Sequence, residues 1–357
     1  MINIIFASIT AFIITFLAIP AVIKIADIKG LYDTPGGRKL HKASIPRLGG
    51  LAIFAGVAFS FAFWTAVFKF EPVQYILASM IVMFFIGIKD DIIEMPASKK
   101  FIGQLIAALI IVLFGDIRIT SMCGVMGIYD IPYYVSAPFS LLLIILIVNA
   151  YNLVDGVDGL AGGLGSIASF TFGLWFYNYN EIPLCILSFS VFSALLAFLT
   201  YNFSPARIFM GDTGSLIIGL ILSILAIQFI ELSFNALPFS FPFRSSPAMA
   251  IAILIIPLFD TMRIFAVRIL HKKSPFSPDR NHMHHILQDM GCSHREICYI
   301  LYAVHIGFIF LALWLRNISS MILLFIILGL SIFLSLTPFI IKYFHKSKTY
   351  NIKVFKH

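Results

Sequence analysis

The residues best suited to chemistry in this chain lie between Asn149 and Ala161, NAYNLVDGVDGLA, where an apolar run ending at Val148 gives way to amides, carboxylates and glycines. Asn149 and Asn152 stand one helical turn apart, and Asp155 and Asp158 repeat the three-residue step, so a helix end unwinding into a glycine loop turns several oxygens one way. Oxygens gathered like that suit a hard divalent cation or the N–H donors of a nucleotide base. Taken alone, the same stretch is equally a polar loop.

Four other segments carry groups of comparable chemistry. Between Lys24 and Leu48 the sequence DTPGGRKLHKASIPRLGG places Arg38, Lys39, His41, Lys42 and Arg47 ahead of Gly49 and Gly50, which open an apolar run. This reads as an anion cradle, because free N–H groups at a helix start favour phosphate, or as the basic excess of a cytoplasmic loop. Next come Lys89, Asp90, Asp91 and Glu94, with Lys99, Lys100 and Gln104 after them. Adjacent carboxylates at a membrane boundary repel and resist desolvation, so a metal ion or a basic partner is expected beside them. Gln104 is expected to bond another helix. In FMGDTGS, Asp212 sits at a helix start, placed either to hold a cation or to cap. Farther on, Asp260 and Arg263 have the spacing of a mutual pair, and Arg280, His282, His284 and His285 crowd one loop. Those histidines suggest zinc or a clamp for phosphate and sugar, but they lack the HExxH spacing of a zinc protease.

The elements that must position these groups are membrane helices. The chain has 357 residues, 60% hydrophobic and only 12% charged, with mean hydropathy +0.98; a globular chain carries about 25% charged residues. About eleven apolar runs approach the length of a span, at roughly 3–23, 48–68, 72–89, 101–115, 138–152, 161–177, 182–200, 212–231, 247–270, 298–315 and 319–343. The runs 101–115 and 138–152 are short for a full crossing as drawn. The first run lacks a basic leader and a cleavage site and is expected to be retained. With the N-terminus outside, only Lys69, Arg118, Arg244 and Arg316 fall outside, leaving 21 of 25 Lys and Arg on the cytoplasmic side. Every candidate segment falls on that side too. The net charge of +8 therefore reads as topology plus attraction to anionic lipid and substrate rather than to nucleic acid. One polytopic domain is expected over 1–344, with a basic cytoplasmic tail over 345–357. Cys123, Cys185, Cys292 and Cys298 lack metal-ligand spacing and read as thiols.

Taken together, RKLHKASIPRLGG, Asp90–Asp91 followed by KKFIGQ, NAYNLVDGVDGLA, FMGDTGS, and PDRNHMHH after DTMR give the chain its resemblance to the polyprenyl-phosphate N-acetylhexosamine-1-phosphate transferases of glycosyltransferase family 4. It covers roughly Asp33 to Gly291. RKLHK…PRLGG and the HxMHH form resemble the WecA-like branch, which transfers N-acetylglucosamine 1-phosphate, more than the branch that takes a muramoyl pentapeptide. The resemblance implies an all-α polytopic protein of the bacterial inner membrane whose active site is built from cytoplasmic loops. It implies transfer of sugar 1-phosphate from a UDP-N-acetylhexosamine to undecaprenyl phosphate with release of UMP, starting a cell-envelope glycan such as O-antigen, enterobacterial common antigen or a teichoic acid linkage unit. It also implies Mg2+, for which Mn2+ can substitute, and allows a homodimer.

By the same resemblance Asp212 and Asn152 hold the metal, Asp158 and Gly159 take the uridine, and Asp155 lies near the metal or the diphosphate. Asp90 or Asp91 removes the last proton of the lipid phosphate, while Lys42, Lys100, Arg280, His282, His284 and His285 hold phosphate and sugar. Direct attack by the lipid phosphate is favoured over a phosphoryl-aspartate route. A cation-coupled transporter is the rival from another class, disfavoured because the polar positions cluster at one end. An alcohol phosphotransferase with a DGxxAR signature is disfavoured because DGVDGLA lacks its arginine.

Overall fold

The computed structural model describes residues 1–31, 45–68, 70–235, 245–272 and 282–354, with side chains outside 234–235 and 339–354. Its described residues form helices and connections, and the one extended pairing among them is an isolated bridge between Ser121 and Asp130. Helices satisfy every backbone group internally, which an apolar chain in hydrocarbon requires. In order they are α1 (Ile2–Lys29), α2 (Gly49–Thr65), α3 (Val73–Ile93), α4 (Ala97–Leu109), α5 (Tyr133–Val154), α6 (Leu160–Asn178), α7 (Ile182–Asn202), α8 (Gly211–Asn235), α9 (Ser246–Ile253), α10 (Ile255–Leu270), α11 (Met283–Asp289), α12 (His294–Trp314) and α13 (Ser320–Val354).

Eight of these helices are long and apolar enough to cross a membrane, and the α9–α10 pair makes up to nine. The protein is thus a polytopic helical membrane protein. α2, at 17 residues, is a shorter apolar helix, and α3 has 21. The two runs drawn short are longer than expected. α4 continues through a π turn to Phe114, giving 18 residues, and α5 has 22 because it begins at Tyr133.

The expected ninth span is not one straight helix. It bends by 85° between α9 and α10, at Leu254. Pro257 explains the break, because it lacks the N–H that would bond the carbonyl four residues back, at Ile253. His305 Nε2 on α12 lies 2.6 Å from that carbonyl and satisfies it instead. Pro20 in α1 frees the Phe16 carbonyl in the same way, and the Tyr201 hydroxyl donates to it at 3.5 Å.

α8 is the axis of the bundle. Its apolar stretch is 78% buried, against 28% in α1, and it touches α2, α3, α5, α6, α7 and α9. Glycine permits its closest approaches: a Cβ on Gly50 would lie 2.1 Å from the Gly214 nitrogen, and one on Gly87 would lie 2.3 Å from Thr213 Cα. Those contacts bring the starts of α2 and α8 and the end of α3 together. The starts of α4, α6 and α12 and the ends of α5 and α7 join them at the same end of the bundle.

Candidate active site

The site forms around the first turn of α8. Its opening N–H groups have no partner within the helix, and the Asp91 carboxylate on α3 supplies one. Asp91 Oδ1 accepts from the Asp212 N–H at 2.7 Å, and Oδ2 accepts from the N–H and hydroxyl of Thr213 at 3.0 and 2.5 Å. Gly211, with φ +71°, makes the turn into the helix, where a Cβ would lie 2.2 Å from the Arg47 carbonyl. Asp212 is therefore not the cap. Its own carboxylate accepts from Asn152 Nδ2 at 2.5 Å and pairs with the Lys100 ammonium. Lys100 also lies 3.1 Å from Asp90 Oδ2, so one ammonium bridges Asp90 and Asp212. Asp90 further accepts from the Met95 N–H.

Asp155 follows the end of α5 and joins this cluster electrostatically. Burial, then the Asp212 and Asp91 carboxylates, push it up to about 7, against the pull of the Gly211 N–H and Arg47. Among the described residues, Asp90, Asp91, Asp155 and Asp212 thus gather with Lys100 and Arg47, more carboxylates than cations and all of them hard oxygen donors. Among the described residues no three His, Cys, Asp or Glu side chains are spaced to hold a metal ion by themselves.

The oxygens of NAYNLVDGVDGLA do not turn one way, as the spacing suggested; each polar residue has its own partners. Asn149 and Gln104 exchange amide hydrogen bonds of 2.8 and 3.3 Å, the helix-to-helix role expected of Gln104. Asn152 bonds Asp212 and, at 2.8 Å, the Ser215 hydroxyl. Asp158 lies with another set altogether: its buried carboxylate meets His294 Nδ1 at 3.2 Å and the Ala206 N–H at 3.3 Å. Gly159, with φ +85°, donates its N–H to Asn202 Oδ1 at 2.9 Å and accepts at its carbonyl from the Tyr302 hydroxyl at 2.5 Å. Cys298 Sγ donates to the Asp158 carbonyl at 3.2 Å. A small apolar cluster of Val154, Val157, Leu160, Leu164, Leu287, Ile297, Cys298 and Leu301 supports the turn from below.

The histidines of α11 have separate partners as well. His282 Nδ1 lies 2.8 Å from Asp260 Oδ2, while Asp260 Oδ1 takes the expected bond from Arg263 at 2.9 Å and the Met283 N–H at 3.0 Å. His284 is buried against Gly156, where a Cβ would lie 2.9 Å from its Nε2. Burial first, then the neighbouring His285, His282 and His294, hold its pKa down at about 3 despite Asp260, so the ring is neutral. His285 Nδ1 lies 3.1 Å from Gln288 Oε1.

The anion cradle expected at Gly49 and Gly50 is corrected. Their N–H groups bond the Phe209 and Met210 carbonyls at 2.9 and 2.8 Å, so they hold α2 to the start of α8 rather than a phosphate. Lys42 and Arg280, with Arg38, Lys39 and His41, lie outside the described residues. His294, Cys298 and Tyr302 went unread as site residues, although positions i, i+4 and i+8 place them on one face of α12.

Fold and site define a polytopic membrane protein whose carboxylates, lysine and histidines gather at one end of its bundle. Residues 73–230 match the glycosyl transferase family 4 description, a region that holds Asp90, Asp91, Asn152, Asp158 and Asp212 but not α11 or α12. Over 344 residues, 94% of this chain and 91% of the relative, the chain is 34% identical to the probable undecaprenyl-phosphate N-acetylglucosaminyl 1-phosphate transferase of Bacillus subtilis (strain 168). It is 29% identical over 298 residues, 81% of the chain and 77% of the relative, to the undecaprenyl-phosphate alpha-N-acetylglucosaminyl 1-phosphate transferase of Escherichia coli (strain K12). A decaprenyl-phosphate N-acetylglucosaminephosphotransferase of Mycobacterium tuberculosis is 33% identical over 313 residues, 82% of this chain and 78% of the relative. This chain belongs to glycosyl transferase family 4, among its phospho-sugar transferases.

Proposed function

We propose that the protein transfers N-acetylglucosamine 1-phosphate from UDP-N-acetylglucosamine to undecaprenyl phosphate, releasing UMP, at the cytoplasmic face of a bacterial inner membrane. The observation that carries this reading is the carboxylate cluster at the start of α8, where Lys100 bridges Asp90 and Asp212 beside Asn152 and Asp155. Among the described residues the cluster has more carboxylates than cations, so two phosphorylated substrates can meet there only if further positive charge is supplied. Its chemistry fits Mg2+, which is bound through one or two carboxylates plus substrate phosphates rather than by an all-protein cage. Asp212 would hold the ion, with the Asn152 amide oriented beside it, and the bound ion would offset charge on the diphosphate.

The chain's own residues divide the remaining work. Asp90 is the base for the last proton of the lipid phosphate: Asp91 gives both oxygens to the backbone at the start of α8, whereas Asp90 takes one backbone N–H, from Met95, and turns its other oxygen to the Lys100 ammonium. A phosphate oxygen then attacks the β-phosphorus of the UDP-sugar, a new P–O bond forms, and the bond to the bridging oxygen breaks as UMP leaves. Lys100 supplies a cation beside that path, as expected where catalysis is positioning plus electrostatics. Asp158 accepts an N–H of the uracil, while His282, His284 and His285 line the sugar and diphosphate side. The sidedness rests on the basic residues of the loops at the site's end, and the protein requires its two substrates and the bilayer as partners.

Purified protein in detergent, given Mg2+, UDP-N-acetylglucosamine and undecaprenyl phosphate, is expected to release UMP. A monodisperse preparation that releases none from any UDP-N-acetylhexosamine would overturn the assignment.

A further inference from the structure

Behind the nucleotide turn, two side chains that the reaction above does not use, Gln288 and His294, lie between two that it does. His285 Nδ1 is 3.1 Å from Gln288 Oε1, Gln288 Nε2 is 3.1 Å from His294 Nε2, and His294 Nδ1 is 3.2 Å from Asp158 Oδ2. We infer that Gln288 and His294 are positioning residues that tie Asp158 to His285, so that the nucleotide turn and the histidines of α11 close on a UDP-sugar as one unit. This rests on the reading of Asp158 as the uracil contact and of His285 as a contact to sugar or phosphate.

The Gln288 amide nitrogen can only donate, so His294 Nε2 accepts from it, and His294 Nδ1 is the ring atom whose N–H meets the Asp158 carboxylate. Gln288 Oε1 is then left to accept from His285 Nδ1, which leaves Nε2 as the ring atom that can meet a substrate oxygen. One end of this hydrogen-bonded chain therefore sets the orientation of the other, much as the outer hydrogen bond of a metal-bound histidine fixes its tautomer.

The backbone beneath is equally fixed. His294 is the first residue of α12, whose start is held by a capping box: the Ser293 hydroxyl accepts from the Glu296 N–H at 3.4 Å, and the Glu296 carboxylate accepts from the Ser293 N–H at 2.7 Å. His285 and Gln288 are three residues apart on α11 and so share a face. Leu287 of α11 and Ile297 and Leu301 of α12 are buried in the same cluster as Val157 and Leu160 of the turn. Three elements thus share one apolar footing and one directed polar chain.

The test is a double-mutant cycle on Q288L and H294F, with H294N as the conservative variant whose amide nitrogen can replace Nδ1 as donor. Each of Q288L and H294F is expected to raise KM for UDP-N-acetylglucosamine about tenfold with kcat held within about twofold. The double variant is expected to lose about tenfold rather than about a hundredfold, because one chain is broken in either case. H294N keeps the donor to Asp158 but has no atom at the place of Nε2, so the link to Gln288 stays broken and H294N is expected to lose about as much as Q288L. Unchanged KM in the single variants, multiplicative losses in the double variant, or full recovery in H294N would overturn the inference. The same cycle read as UDP affinity by calorimetry needs no turnover. An inactive wild-type protein would therefore overturn the proposed function, while the calorimetric cycle would still decide the coupling.

Discussion

The two halves of the site are built on opposite principles. Around the start of α8, carboxylates from α3, α8 and the end of α5 are held close together, and among the described residues Lys100 and Arg47 offset their charge. Behind the turn at Asp158 and Gly159, the contacts are directed hydrogen bonds over an apolar footing, with one carboxylate and a histidine on each of two helices. The first half stores unfavourable electrostatics that the proposed cation would relieve. The second stores geometry. His284, neutral and packed against Gly156, stands where the two halves adjoin. Charge-altering variants should therefore act chiefly on turnover in the first half, and shape- or donor-altering variants chiefly on substrate affinity in the second.

The largest effect should come from the centre of the charged half. Asp212→Asn keeps the size of the side chain and can still meet Lys100 through its amide oxygen, but it removes the charge proposed to hold the metal. Turnover is expected to fall by about a thousandfold, the scale at which a principal electrostatic group is lost. Residual activity should require far more Mg2+. A Mg2+ titration of UMP release checks this, and an unchanged midpoint would remove Asp212 from the metal site.

A sharper break lies between two neighbours. Asp90→Asn is expected to lower kcat about a hundredfold, as loss of a proton acceptor does, with the thermal midpoint in detergent little changed. Asp91→Asn should instead lower the midpoint, since an amide cannot accept from both N–H groups of the α8 start; losing a helix cap costs about 1–2 kcal/mol. Melting curves and initial rates on the same preparations separate these roles. A large kcat loss in Asp91→Asn without a change in midpoint would reverse the assignment of base and cap.

Much of this was legible in the sequence, and the limits have physical causes. The apolar runs located every long helix, because hydrocarbon leaves few alternatives, and the segments with Asp90, Asn152 and Asp212 converge as their shared side implied. The different tasks of Asp90 and Asp91 could not be read, since one step along a helix turns a side chain through about 100° and only the tertiary structure says what lies there. Gly49 and Gly50 looked like a phosphate cradle because unpaired N–H groups at a helix start are assumed until a partner is seen, and here the partners lie about 160 residues away at Phe209 and Met210. The break at Leu254 had a readable cause in Pro257, but its stabiliser, His305, lies on another helix. α12 carries its site residues as a polar stripe of His294, Cys298 and Tyr302. That stripe signals only that one face of a span meets something polar.

The smallest of these effects tests whether the second half works through geometry. Tyr302→Phe keeps the ring that packs on α6, where a Cβ on Gly163 would lie 1.9 Å from the Tyr302 hydroxyl, and deletes only the donor to the Gly159 carbonyl. An unsatisfied buried carbonyl costs about 1–3 kcal/mol, but the turn keeps its bonds through Asn202 and Cys298, so the loss should be partial. KM for the UDP-sugar is expected to rise about threefold, with kcat and the Mg2+ midpoint unchanged. A variant that instead shifted the Mg2+ midpoint would show that the turn and the carboxylate cluster are coupled more tightly than their separate partners indicate. An unchanged KM would mean that Asn202 and the apolar footing suffice to hold Asp158, and that the hydroxyl of Tyr302 serves α12 rather than the substrate.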